Sequence, residues 1–338
     1  GLMATRNFQE SSFAGFKEFE DPEFIRDRLF VRSGSCFGSP FRCAKITQVV
    51  DPIAYRGSGK GPEHESIVLL GANLGIADLA AIAKANYLCN DFGMDTITTG
   101  ATLSCAMELF EKGYLHEKDV GCRLNFGDAT HVLELIEKIA WRQDYGDTLA
   151  EGGYEVAQSS GHPELFMGVK RQGLPAWHPR EAAVVGLQYI TSNHGACHTR
   201  SVLPFQGRMN KETEIYWTKE DQDYIAAADS CGCCWIAYAR PTEHEKPLAW
   251  LRIVTGMDYS KEEFLMVGER IWNLERLFNL EAGLTTEDDA LPERLVAEPS
   301  HEKKMLSEYY KLRGWDEVGA PTEEKLMQLK LRLRRPAG

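Results

Sequence analysis

Apolar residues recur at helical spacing along most of this chain, and the two-residue alternation of a half-buried strand is scarce. That pattern confines the chain to a mainly α fold. Leu79, Ile82, Ala83, Asn86 and Tyr87 share one face of a helix that Gly93 ends. Leu103, Ala106, Met107 and Phe110 predict a second helix, closed by Gly113. Val132, Leu135, Ile136, Ile139 and Ala140 predict a third, with Asp128 as its cap. Ser260 and Glu263 form a capping box ahead of Phe264, Val267, Gly268, Ile271, Leu277 and Phe278, which predicts a long core helix. Residues 1–66 differ: aromatic, Gly, Ser and Pro punctuation predicts loops and short strands around SGSCFGSPFRCAK.

A chain of 338 residues exceeds what one hydrophobic core organises, since cores stop growing at roughly 250 to 300 residues. Two helical domains are expected, 1–167 and 168–338, with Gly152, Gly153, Gly161 and Pro163 marking the boundary. The basic end, KLRLRRPAG, is expected to fray, and the irregular NFQESSF start suggests a further domain upstream. A formal net charge of −12 argues against a nucleic-acid groove, which needs clustered cations to displace counterions. No apolar run approaches the roughly 20 residues of a bilayer span, and the start lacks a signal-peptide core, so a cytoplasmic location is expected.

Nine cysteines, an odd number without even spacing, suit a reducing compartment and a metal or redox role better than disulfides. Cys36 and Cys43 flank a turn around Pro40; alone, such a pair reads as two inert thiols. DSCGCC adds Cys231, Cys233 and Cys234, enough thiols to complete a four-thiolate iron–sulfur site if they converge.

The ordered series RNFQ, GPEHES, NDFGMDTITTG, SNHGACHTR, DSCGCC, FNLEAGLTTEDDALPERL and EYYKLRGWDEVGAPTEEKL resembles domains 2 and 3 of the aldehyde:ferredoxin oxidoreductase family over nearly the whole chain. The resemblance implies a 4Fe-4S cluster on a C-x2-C-x3-C loop, with Cys36 and Cys43 at the first and third positions and Cys234 as the distant fourth ligand. Ser39 stands at the second position, and an oxygen is a poorer cluster ligand than a thiolate. The resemblance also implies tungsten, or molybdenum, held between two pterins by two D-x-x-G-L-(D/C) loops. The first loop is Asn90, Asp91, Phe92, Gly93, Met94, Asp95, with Asn90 replacing the leading Asp. The second is Asp229, Ser230, Cys231, Gly232, Cys233, Cys234. A donor-rich flat heterocycle needs acceptors at its edge and a glycine that permits close approach. Outside the family such turns are ordinary helix ends.

By the same resemblance Glu65 acts as base and His198 orients or polarises the carbonyl of a small aldehyde, while Arg200 lies near a pterin. Glu63, His64 and His194 compete for those roles by proximity in sequence. The family's N-terminal domain, the base on which the pterins lie, has no counterpart in these residues. The expectation is therefore a fragment or subunit that needs that domain or a separate subunit, passes electrons to ferredoxin or another carrier, and carries little metal alone. A homodimer is possible in the family. Two alternatives stand beside aldehyde oxidation. One is the tungsten subunit of a benzoyl-CoA-reductase-like enzyme, with a metal ligand among Cys89, Cys105, Cys197, Cys231 and Cys233. The other is a degenerate scaffold, suggested by Ser39 and Asn90.

Overall fold

The computed structural model describes residues 3–16, 22–181, 183–201, 211–234 and 245–331. The chain divides into two compact units, Gly1–Glu181 with Pro292–Leu295, and Ala182–Leu291 with Val296–Gly338. Residues 151–167, where the Gly and Pro punctuation suggests a boundary, lie inside the first unit, because Phe166 and Leu165 join its core. Of the terminal basic segment, residues 332–338 fall outside the described residues.

The first unit opens with α1 (Pro22–Leu29) and an antiparallel sheet of β1 (Phe30–Gly34), β2 (Ala44–Val49) and β3 (Gly57–Lys60), the short strands expected of this region. Seven helices follow: α2 (His64–Leu70), α3 (Leu79–Phe92), α4 (Thr96–Glu111), α5 (Glu117–Val120), α6 (Ala129–Trp141), α7 (Tyr145–Leu149) and α8 (Gly153–Ser159). A two-residue hairpin, β4 (Gly168–Val169) with β5 (Gln172–Gly173), comes after them. Asp78 caps α3 by accepting from the Ala80 and Ala81 amides, and Asp128 caps α6 through His131 N–H. Leu103, Met107, Val132, Leu135 and Ile136 are fully buried in one core with Ile82. The α3 helix is thus a core helix rather than a free subunit face.

The sheet has two unlike faces. Side chains alternate along a strand, and Gly57 and Gly59 of β3 lie flat against the Tyr87 ring of α3. A Cβ on Gly57 would come within 2.8 Å of that ring. Thr47 and Tyr87 share a 2.7 Å hydroxyl hydrogen bond on the same side. On the opposite side Arg32, Ile46 and Lys60 pair across the three strands in one row.

Asn7 and Glu108 are buried at the heart of this unit, where apolar residues would be expected. Arg294, from the returning Pro292–Leu295 segment, grips Glu108 with two bonds of 2.6 and 2.7 Å, and Asn7 Nδ2 donates to the same carboxylate at 2.7 Å. Such a bidentate, charge-assisted pair satisfies a carboxylate that burial alone would penalise.

The second unit contains α9 (Ala183–Thr191), α10 (Lys211–Ser230), α11 (Lys246–Thr255), α12 (Lys261–Glu281), α13 (Pro299–Arg313) and α14 (Glu323–Gln328). The Ser260–Glu263 capping box forms as expected at the start of α12. Its buried stripe runs Phe264, Gly268, Trp272, Asn273, Arg276, so it drifts away from the expected Phe278, which is 71% exposed. Polar Asn273 and Arg276 are inside because they have partners. Trp315 Nε1 donates to Asn273 at 2.8 Å, and Arg276 donates to the Gly319 carbonyl at 2.8 Å and pairs with Asp289 at 2.7 Å. Fully buried Arg313 pairs with Asp223 and donates to Gln222 at 2.7 Å and Tyr309 at 2.8 Å. The EYYKLRGW segment is therefore packing.

Candidate functional site

Glu65 sits in the first turn of α2, and its Oε2 accepts the Ala176 N–H at 2.6 Å. Burial raises its pKa to about 7; the Ala176 hydrogen bond opposes the rise and the charge of Asp95 adds to it. The carboxyl thus titrates near neutrality, where a general base is most effective. Next to it, His64 lies against Trp177 with ring centroids 5.3 Å apart, and desolvation lowers its pKa, favouring the neutral imidazole.

Asp95 closes the first predicted pterin loop, so the structure brings Glu65 and that loop together. A 2.8 Å hydroxyl bond between Ser66 and Thr96 ties α2 to the start of α4 beside them. Asn90 lies in the last turn of α3 and donates its amide to the Lys60 carbonyl at 3.4 Å, which leaves the amide oxygen as its acceptor. Gly93 follows in the left-handed region, φ 69°, with nothing within 4 Å of where a Cβ would be. Met94 N–H returns to the Cys89 carbonyl at 2.8 Å, and Asp95 caps α4 through Thr98 N–H.

The second loop has the same corner. Gly232, φ 70°, is equally open, its N–H bonds to the Asp229 carbonyl at 2.9 Å, and Cys233 N–H turns back to Ala228. Both corners are helix C-caps. Local capping explains the glycines, and the open space beside each leaves room for a flat ring to approach the backbone. In that respect the two corners fit a pterin. Asp229 and Cys234 are exposed, while Cys233 and Cys231 pack partly against Leu248 and Phe264, their thiols raised in pKa by burial.

His198 and Arg200 lie in the turn after α9, both half-buried. Arg200 is 3.8 Å from Glu275, the ordinary ion-pair alternative to a ligand contact. Asn193 donates to the Trp272 carbonyl at 3.1 Å. Ser192 Oγ and Asn193 Oδ1 are buried and have no hydrogen-bond partner among the described residues. Buried oxygens of this kind suit a polar group held by the SNHGACHTR loop. Glu65 and the first loop belong to the first unit, and His198, Arg200 and the second loop to the second.

Cys36 and Cys43 are free, exposed thiols on the loop joining β1 to β2, and Phe37 between them is wholly exposed. The Ser39 hydroxyl is engaged in a local turn, accepting Phe41 N–H at 3.2 Å. The loop offers a cluster two thiolates and lacks the third. Among the described residues no group of three or more His, Cys, Asp or Glu side chains is arranged to hold a metal ion. Cys89 and Cys105 are core residues, pushed up to about 11 and about 12 by burial, so they stay protonated and do not suit metal ligation.

The fold is shared with a solved active-site complex of benzoyl coenzyme A reductase bound to 1,5 dienoyl-CoA. The TM-score is 0.81 at 20% identity, covering 98% of this chain and 57% of that one. Residues 1–331 match the family described as aldehyde ferredoxin oxidoreductase, domains 2 and 3, and the chain belongs to that family. The tungsten-containing aldehyde ferredoxin oxidoreductases of Thermococcus kodakarensis and Pyrococcus furiosus are each 40% identical over 353 residues, 97% of this chain. An aliphatic sulfonate oxidoreductase, WOR-like subunit, of Pyrococcus furiosus is 28% identical over 96% of the chain. The chain spans 57% of the length of the two aldehyde ferredoxin oxidoreductases and 54% of the sulfonate relative. Among the described residues no single helix is long and apolar enough to cross a membrane.

Proposed function

We propose that this chain is the part of a tungsten- or molybdenum-bispterin oxidoreductase that holds both pterin edges and the proton-handling carboxylate, and that the enzyme oxidises small aldehydes to carboxylic acids. The observation that carries the reading is Glu65, a half-buried carboxyl with a pKa of about 7 beside the first pterin loop. The unit of Gly1–Glu181 with Pro292–Leu295 corresponds to family domain 2 and that of Ala182–Leu291 with Val296–Gly338 to domain 3. A pterin-base portion, in the same polypeptide or another, completes the site.

When bound, the metal between two pterin dithiolenes supplies a two-electron acceptor. Everything else falls to the protein. Asn90 and Asp229 accept from the pterin amines, and Gly93 and Gly232 admit the rings. Arg200 supplies a planar donor to ring oxygens or phosphate. Ala176 N–H holds Oε2 of Glu65, and the carboxylate takes the proton as water adds to the carbonyl carbon. His198 orients and polarises the carbonyl. Cys36, Cys43 and Cys234 would hold an iron–sulfur cluster, which would supply one-electron relay toward ferredoxin or a similar carrier. A benzoyl-CoA-reductase-like reading requires a protein sulfur on the metal, and the burial of Cys89 and Cys105 in the core leaves Cys197, Cys231 and Cys233 as its candidates.

The test is elemental analysis of the complete assembly, purified without oxygen, together with aldehyde-dependent dye reduction. About one tungsten or molybdenum per assembly and activity lost in Glu65→Gln support the reading. An assembly with neither metal refutes it and leaves a scaffold.

A further inference from the structure

Glu65 and the group that holds it each have an aromatic neighbour in the chain. His64 precedes the carboxyl in α2, and Trp177 follows Ala176, whose N–H donates to Glu65 at 2.6 Å. The two rings meet where those segments come together, with centroids 5.3 Å apart and planes tilted by 35°. The segment carrying Trp177 is itself fixed: the Ala176 carbonyl accepts Ala4 N–H at 2.9 Å, and Trp177 pairs with Met3 through a backbone bridge. Trp177 is half-buried and His64 exposed, while Leu174, Pro175, Ala176 and His178 are buried. An aromatic corner therefore reaches the surface immediately beside a desolvated carboxyl. Desolvation also favours the neutral imidazole of His64. Two uncharged rings next to a carboxyl suit an uncharged ligand, because an anion is repelled once Glu65 ionises.

We infer that Trp177 and His64 form the substrate wall of this site and select an aromatic aldehyde, whose ring packs against the indole while its carbonyl points toward Glu65. The inference rests on the reading of Glu65 as the base of an aldehyde oxidoreductase, and it narrows the substrate from small aldehydes in general to aryl ones. An aliphatic group of the same bulk gains only the removal of its surface from water. A flat π system gains that and adds offset or edge-to-face stacking on the tilted pair, and this second contribution separates the two classes. Trp177 and His64 act here on specificity, and neither takes up a proton.

The experiment is ligand-observed saturation-transfer NMR on the 338-residue chain, which contains both rings and Glu65. Benzamide serves as an unreactive stand-in for an aryl aldehyde and cyclohexanecarboxamide as its saturated counterpart. Benzamide is expected to bind about fivefold more tightly. Trp177→Leu is expected to erase that preference and His64→Leu to reduce it about twofold, with both variants folded by circular dichroism. Trp250→Leu, at an exposed tryptophan of α11, is expected to leave it unchanged. In the complete enzyme Trp177→Leu is expected to lower kcat/KM for benzaldehyde about tenfold, mainly through KM, with cyclohexanecarbaldehyde little changed. Equal binding of the two amides, no binding of either, a preference unchanged in Trp177→Leu or in His64→Leu, or an equal loss in Trp250→Leu overturns the proposal. Because binding is read on the chain without turnover, its failure leaves the aldehyde reading intact. An assembly lacking tungsten and molybdenum refutes that reading and leaves the ring preference standing.

Discussion

Replacing Glu65 with Gln separates the role of this carboxyl in catalysis from its effect on the fold. The group is held at about 7 against 4.5 unperturbed, and each pKa unit is worth about 1.4 kcal/mol. Ionising it inside the fold therefore costs about 3 kcal/mol. The sign follows from linkage: the folded pKa of this acid is raised, so the native state binds the extra proton between pH 4.5 and 7. Stability is full below the unfolded value and falls as pH climbs to the folded one. Gln keeps an oxygen for the Ala176 N–H and never ionises. Denaturant unfolding at pH 5 and pH 8 is expected to show the unaltered chain losing about 2 to 3 kcal/mol more than Glu65→Gln over that interval. In the complete enzyme the same variant is expected to lose most of its aldehyde oxidation, and the unaltered enzyme to show a rising limb near pH 7. Identical pH slopes of stability for the two proteins would refute the claim that Glu65 is desolvated and proton-binding near neutrality.

Arg313→Met removes the partner of buried Asp223. Lys219 still reaches that carboxylate at 2.7 Å, so the expected loss is about 3 kcal/mol, the low end for breaking a buried pair, measurable by urea denaturation. Arg294→Ala leaves Glu108 buried with Asn7 and the longer Lys112 contact; the expected cost is again about 3 kcal/mol, seen as a lower Tm, and a Tm within one degree of the unaltered chain would contradict it. Ser39→Cys restores the third thiolate of the loop and is expected to raise the iron content of the complete assembly. No change in iron would mean that this position does not limit cluster binding.

The elements most legible in the sequence are those with local causes. The α3, α6 and α12 helices are written in apolar spacing and end signals, and α6 and α12 begin at the caps read from the sequence, Asp128 and Ser260. The far end of α12 was not legible, because Asn273 and Arg276 are drawn inside by partners 13 to 43 residues away: Asp289, Trp315 and Gly319. Hydropathy alone assigns them outward and Phe278 inward. The candidate site divides the same way. The two glycine corners are visible as motifs, since a left-handed cap needs glycine wherever it occurs. The neutral-range pKa of Glu65 depends on Ala176, 111 positions on, and on the surrounding burial. Likewise, nothing local separates core thiols such as Cys89 and Cys105 from the exposed Cys36 and Cys43. The pull of Arg294 on Glu108 spans 186 positions and has no periodic signal.

That last contact bears on how the gene can be divided. A message stopped after codon 181 encodes every helix of the first unit, yet omits the four-residue return that carries its guanidinium. The product would leave Glu108 at its centre with Asn7 and the longer Lys112 contact but without its bidentate partner. A truncated first half is accordingly expected to aggregate or to need the 292–295 strip restored by fusion, which makes the chain's two halves a poor choice for separate expression.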